Sequence, residues 1–264
     1  MIEISGLEKT FDQPGGDQTI ALRGVDLSIA AGQFVSVIGS NGSGKSTILN
    51  VIAGTYRPDA GSIHIARTDV TRWPEHKRAK LVGRVFQDPF KGTCPSMTVA
   101  ENLRMAELRG RRRGLRLGLN RGSRVRYREA LASLGMRLEG RLDASMGTLS
   151  GGQRQAITLL MATLTRPELL LLDEHTAALD PKIGEFVMEW TRSIVSEFKL
   201  TAVMVTHSMA QALQYGDRTL MFHRGQIVFD VSGEQRRAMG VADLLALFKR
   251  DQGEELSDDA LLLG

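Results

Sequence analysis

The string Gly39-Ser40-Asn41-Gly42-Ser43-Gly44-Lys45-Ser46 constrains this 264-residue chain more than any other feature. It fits G-x-x-x-x-G-K-[ST] and has the neighbours that motif requires. Before it runs Phe34-Val35-Ser36-Val37-Ile38, almost all apolar and rich in β-branched residues, as expected of a buried parallel strand. After it come Ile48, Leu49, Ile52 and Ala53 at helical spacing, stopped by Gly54. The glycines let the backbone curl so that several N–H groups face one point. The helix that follows adds the positive end of its dipole. Lys45 then reaches the β/γ-phosphates of a nucleotide, the Ser46 hydroxyl suits magnesium, and Thr47 is placed for the α-phosphate.

Two further strings carry chemistry. Leu169 to Leu172 reads as a buried strand ending in Asp173-Glu174. Two carboxylates at the end of an apolar run are costly unless they have partners. Read alone, the pair is either a helix N-cap or half of a nucleotide site; beside a phosphate loop the second reading prevails. Asp173 then holds magnesium through water and Glu174 polarises the attacking water. Leu149-Ser150-Gly151-Gly152-Gln153-Arg154-Gln155 opens a helix whose apolar side carries Ala156, Ile157, Leu160 and Met161. Ser150 and the two glycines offer a hydroxyl and bare N–H groups at a helix N-terminus, a second phosphate cradle. The chain thus has one phosphate loop and two cradles.

Composition narrows the class. Hydrophobic content is 42% and charged content 24%, ordinary for a globular domain. No run of about 18 apolar residues encodes a membrane span. Met1-Ile2-Glu3-Ile4-Ser5-Gly6 does not read as a secretory signal. A single cysteine, Cys94, excludes an internal disulfide and a cysteine-cluster metal site, and fits a reducing cytoplasm. The net charge of +4 is local, because residues 109–128 hold nine arginines and no acid. Basicity is therefore no argument for nucleic-acid binding by the whole chain.

The chain opens as β structure, with Ile2 to Ser5 and Thr19 to Ile29 separated by the turn Pro14-Gly15-Gly16-Asp17. Residues 88–148 read as a helical, Arg-rich insertion. Core strands return at Leu169–Leu172 and Ala202–Val205, with a helix between them. The last strands are Thr219–Phe222 and Gln226–Asp230, joined at His223-Arg224-Gly225. The expected fold is α/β: a P-loop NTPase core of the RecA-like kind, an N-terminal antiparallel β subdomain and an inserted α-helical subdomain. Residues 1–250 form one domain, with 1–87 and 149–250 as the core with its β subdomain, and 251–264 form an acidic tail.

In this order the three strings resemble those of the ABC ATPase family, whose signature is L-S-G-G-Q; the likeness spans about residues 2–230. It implies an ATP-hydrolysing transporter subunit at the cytoplasmic face of the membrane. Two copies would pair head to tail, with Ser150, Gly151, Gly152 and Gln153 of one closing over the γ-phosphate held by the other. It also implies roles for residues that carry no signal alone. Gln87 senses magnesium and the attacking water, at the junction with the helical insertion. His207 contacts the γ-phosphate, Asp180 contacts the opposite subunit, and Phe11 stacks on adenine, although a core Phe near a turn reads equally well. The implied partners are membrane permease subunits, contacted near Pro89 to Val99, and indirectly a solute-binding protein. Nucleic acid is not among them. A soluble ABC ATPase acting on nucleic acid or ribosomes is the alternative.

Departures from the family pattern D-E-P-T-S-A-L-D fall in Asp173-Glu174-His175-Thr176-Ala177-Ala178-Leu179-Asp180. His175 replaces Pro, and a pH-sensitive dimer interface is one expectation from it. Ala177 replaces Ser. This string, with an Arg-rich insert upstream, is similar to ATPases of bacterial importers of small organic solutes such as amino acids. Residues 109–128 read as a solvated loop with some attraction to anionic lipid, since Gly110, Gly114, Gly118 and Gly122 break a long helix. Tyr127 is the one aromatic there that could stack on a base.

Overall fold

The computed structural model of the protein describes residues 1–13, 15–110 and 118–252, and side chains as far as residue 249. Pro14 of the expected turn, Arg111, Arg112, Arg113, Gly114 and Arg116 of the arginine run, and residues 253–264 of the acidic tail lie outside the described residues. In chain order the elements are β1 (Ile2–Asp12), β2 (Gln18–Ile29), β3 (Phe34–Gly39), α1 (Lys45–Ala53), β4 (Ala60–Ile65), β5 (Thr68–Asp69), α2 (Glu75–Arg78), β6 (Val82–Val85), α3 (Val99–Glu107) and α4 (Arg121–Ala132). There follow a 3-10 turn at Met146–Thr148, α5 (Gly151–Thr163), β7 (Leu169–Asp173), α6 (Pro181–Glu197), β8 (Ala202–Val205), α7 (Met209–Tyr215), β9 (Arg218–His223), β10 (Gln226–Ser232), α8 (Gly233–Arg237) and α9 (Val241–Gln252).

Two sheets result. One is antiparallel, in the order β2-β1-β4-β5; the other runs β10-β9-β3-β8-β7-β6, parallel except for β10. Side chains alternate across a strand, so a strand covered on both faces must be apolar throughout. Strand β7 is such a strand. Leu169 and Leu171 enter the core shared with α1 and the antiparallel sheet, while Leu170 and Leu172 enter the core shared with α5 and α6. Helix α1 is therefore sandwiched between the sheets through Ile48, Leu49 and Ile52. Its far end is held by Arg78, fully buried, whose guanidinium donates to the Val51 and Ile52 carbonyls. A cation there satisfies orphan carbonyls and opposes the helix dipole.

Helices α3 and α4 form a separate lobe with its own core, which α5 completes through Ala156, Ile157, Leu160 and Met161. The opposite side of α5, at Leu159 and Ala162, packs into the sheet core. One helix thus belongs to both lobes. Gly122 does not break the helix expected to fail there: it is the second residue of α4, capped by a reciprocal pair of hydrogen bonds between Asn120 and Ser123. A glycine in the first turn costs little when the cap supplies the missing acceptors.

Candidate active site

The phosphate loop joins β3 to α1 at the middle of the six-stranded sheet. Gly39 has φ 148, and a Cβ on it would lie 2.2 Å from the Phe222 carbonyl oxygen. Only glycine fits where β9 presses on the loop. The N-cap of α1 is Gly44, which offers no side-chain acceptor, and there is no acid in the first turn. The first N–H groups of α1 are left for a ligand. Lys45 is buried and its Nζ donates to the Gly39 and Ser40 carbonyls at 2.6 and 2.8 Å. Ser46 and Asn41 are exposed, Thr47 and Ser40 half-buried. The Gly225 N–H, from the β9–β10 turn, donates to Ser43 O at 2.9 Å and braces the loop from behind.

Two strands further along the sheet, β7 delivers Asp173 and Glu174. Asp173 is paired with Arg84 of β6 at 3.1 Å. Glu174 has φ 46, a left-handed conformation that is strained for a residue with a side chain. Its N–H donates to Val205 O, and its carboxylate meets His207 Nε2 at 2.6 Å. The strain is spent on aiming the carboxylate at the loop after β8. Gln87, exposed just past β6, shares with Asp173, Asn50 and Arg84 a cavity of about 530 Å³. The structure thus unites Gln87 with Asp173, and Glu174 with His207.

The second cradle stands elsewhere. Ser150 caps α5 by accepting from the Gln153 N–H at 3.3 Å, and Gln153 Oε1 accepts from the Ser150 N–H at 3.2 Å. Gly152 lies against Ile183 of α6, where a Cβ would come within 2.2 Å of Ile183 Cγ2. Gly151 is exposed. Helix α5 packs along β6, and β8 and β7 separate β6 from β3. Strand spacing puts β6, on which α5 packs, about 14 Å from β3, which feeds the phosphate loop. Asp180 caps α6 by accepting from the Ile183 N–H at 3.1 Å, with Pro181 at the first helical position.

Two residues that spacing did not single out, Gln155 buried and Arg84 half-buried, tie these parts together. Gln155 donates to Phe86 O at 2.9 Å and His175 O at 2.6 Å, joining the segment before Gln87 to the segment after Glu174. Arg84 donates to Asn50 and Thr55 as well as to Asp173. A half-buried arginine on a short strand leaves no periodic signal in a sequence. Phe11 is half-buried and meets Tyr56 edge to face at 5.2 Å, a two-ring ledge with Tyr56 38% exposed.

One expectation changes. His175 turns inward, 2% exposed, with Nε2 3.1 Å from Thr191 Oγ1. The Thr191 hydroxyl donates to Val187 O, so it accepts from His175. Burial pushes His175 down from 6.5 to about 4, so it stays neutral near pH 7 and is no interface pH sensor. Tyr127, 2% exposed, donates to Glu107 and cannot stack on a base. Of the described arginines in the basic run, Arg109 donates to Ala162 O, Arg124 and Arg126 pair with Asp143 and Glu107, and Arg121 and Arg128 are exposed.

Ser46, in the first turn of α1, is exposed, and Asp173 Oδ2 accepts from Arg84. Among the described residues no cluster of three or more His, Cys, Asp or Glu forms a protein cage. One hydroxyl and one carboxylate beside a phosphate cradle suit magnesium, which keeps waters and takes phosphate oxygens. The residues fit the ion.

The chain is similar to known proteins. A family model described as ABC transporter matches residues 22–177. The tyrosine transport ATP-binding protein of Clostridioides difficile (strain R20291) is 44% identical over 94% of this chain and 99% of its own. The sulfate/thiosulfate import ATP-binding protein CysA of Halalkalibacterium halodurans is 39% identical over 86% of this chain, which spans 60% of that relative's length. Among solved structures, a dimeric post-hydrolysis state of the ATP-binding cassette MJ0796 bound to ADP and Pi superposes with a TM-score of 0.76. It is 29% identical, covering 88% of this chain and 98% of its own.

Proposed function

The chain belongs to the ABC transporter family, as an ATP-binding and ATP-hydrolysing subunit, and from that premise we propose that its site is completed only by a second copy of itself. The observation that carries this is the separation of the two cradles across β8 and β7. Each is a helix N-terminus, one following β3 and the other on the helix that packs on β6. In the head-to-tail pair, Lys45 and the N–H groups of α1 hold the phosphates of one ATP. Ser150 to Gln153 of the other copy cover its γ-phosphate, and Asp180 meets the facing subunit. Phe11 carries the adenine. Glu174 orients the attacking water, His207 holds Glu174 and the γ-phosphate, and Gln87 reads the state of the site. Ser46 and Asp173 hold magnesium, which neutralises charge on the phosphate oxygens. Catalysis is then positioning and charge stabilisation.

The load is a separate permease at the cytoplasmic face of the membrane, docked on the helical lobe near Pro89 to Val99 and served by a solute-binding protein. Among the described residues no helix is long and apolar enough to cross a membrane, which fits a peripheral subunit. Import of an amino-acid-like solute is the cargo reading, supported by the tyrosine transport relative that matches over nearly both full lengths. The alternative of an ATPase acting on nucleic acid loses ground to the transport relatives and to the burial of Tyr127. The pairing is tested with Glu174→Gln, which blocks hydrolysis. Light scattering should show a dimer with ATP and a monomer with ADP; a monomer in both defeats the proposal. Uptake of labelled tyrosine by the reconstituted transporter tests the cargo.

A further inference from the structure

We propose that Arg84 is a positioning residue for magnesium: its guanidinium clamps the Asp173 carboxylate to the helix that carries Ser46. This rests on the reading of Asp173 and Ser46 as the metal-holding pair. Arg84 Nη2 donates to Asp173 Oδ2 at 3.1 Å, and Nη1 donates to Asn50 Oδ1 at 2.9 Å and Thr55 Oγ1 at 3.3 Å. Asn50 in turn donates from Nδ2 to the Ser46 carbonyl at 2.7 Å. The chain of contacts therefore runs from one metal-holding residue to the other, through β6 and α1. The guanidinium also stacks on Phe86 at 4.5 Å. Side chains at both ends of the ion pair are largely withdrawn from water, 11% exposed for Arg84 and 16% for Asp173.

Stability alone does not account for this arrangement. Arg84 Nε is buried and has no hydrogen-bond partner. A withdrawn ion pair can often be replaced by apolar side chains at no loss. What it supplies here is geometry. With Oδ2 fixed by a planar fork that has two other anchors, Oδ1 is held in one orientation. Residues that hydrogen-bond metal-holding groups orient them, and their loss weakens metal binding 10–100-fold.

The probe is Mn²⁺, followed by electron paramagnetic resonance on the full chain with ATP bound, in a Glu174→Gln background that prevents turnover. Arg84→Met should weaken Mn²⁺ binding by about tenfold or more. A fluorescent ATP analogue in EDTA should bind within twofold of the parent. Arg84→Lys keeps the charge but reaches one acceptor at a time, so it should also lose several-fold, and it decides the matter if the Met variant does not fold. Mn²⁺ affinity within twofold of the parent, tighter Mn²⁺ binding, or an equal loss of nucleotide in EDTA overturns the proposal. Asp173→Ala separates the two readings. If it binds Mn²⁺ like the parent, the metal pair itself is misassigned; if it loses Mn²⁺ while Arg84→Met does not, only the role of Arg84 fails.

Discussion

At the scale of single residues, the proposed catalytic centre is two side chains in contact: Glu174, strained at φ 46, and His207 at 2.6 Å. Removing one preorganised partner of a developing charge costs about 10²–10³-fold in turnover. His207→Ala should therefore lower kcat by that order with little change in KM, measured by phosphate release; wild-type turnover would remove His207 from the site. His175 makes a different prediction. Its folded value, about 4, lies below the unfolded 6.5, so the unfolded chain binds the extra proton. Stability is fully present above 6.5 and falls as the pH drops towards 4. Between pH 7 and pH 5 the loss from this group is about 2 kcal/mol. Urea titrations of the wild type and His175→Gln at both values check it, since the variant should lose that much less. The phosphate loop could be read from its letters because a glycine string carries its own conformational requirements. The inward turn of His175 could not, because nothing local says which face of a loop residue meets α6.

At the scale of elements, α5 binds the two lobes and also presents the signature. Ser150 serves twice, as the cap of α5 and as the proposed phosphate contact, and one substitution separates these duties. Aspartate caps a helix as well as serine does, so Ser150→Asp should leave stability within about 0.5 kcal/mol. The same carboxylate faces the partner's γ-phosphate, so ATPase activity should fall at least about 10²-fold. Thermal melts and phosphate release decide it; full activity would place the signature away from phosphate. Strands β3, β7 and β8 were legible because both faces are covered and the runs are continuous. Strand β6 was not read as a strand, since Val82–Val85 is four residues long and carries Gly83 and Arg84 inside it. Helices α7 and α9 left too short or too mixed a pattern, and their burial comes from packing against one another and β9.

At the scale of the molecule, the number of cradles exceeds what one chain can use, and this was visible in the sequence before any geometry. Geometry adds the separation: the strand order β3-β8-β7-β6 keeps the phosphate loop and the signature apart. A head-to-tail pair makes each site from two chains, so defects in different halves should complement. In a Glu174→Gln background, Lys45→Ala breaks the phosphate loop and spares the signature, while Ser150→Asp does the reverse. Alone, neither variant keeps an intact site in a homodimer. Mixed, one of the two sites joins an intact loop to an intact signature. Light scattering with ATP should show each variant alone as a monomer and the equal mixture as containing dimers. A mixture that stays monomeric, or a single variant that dimerises alone, would contradict the shared site.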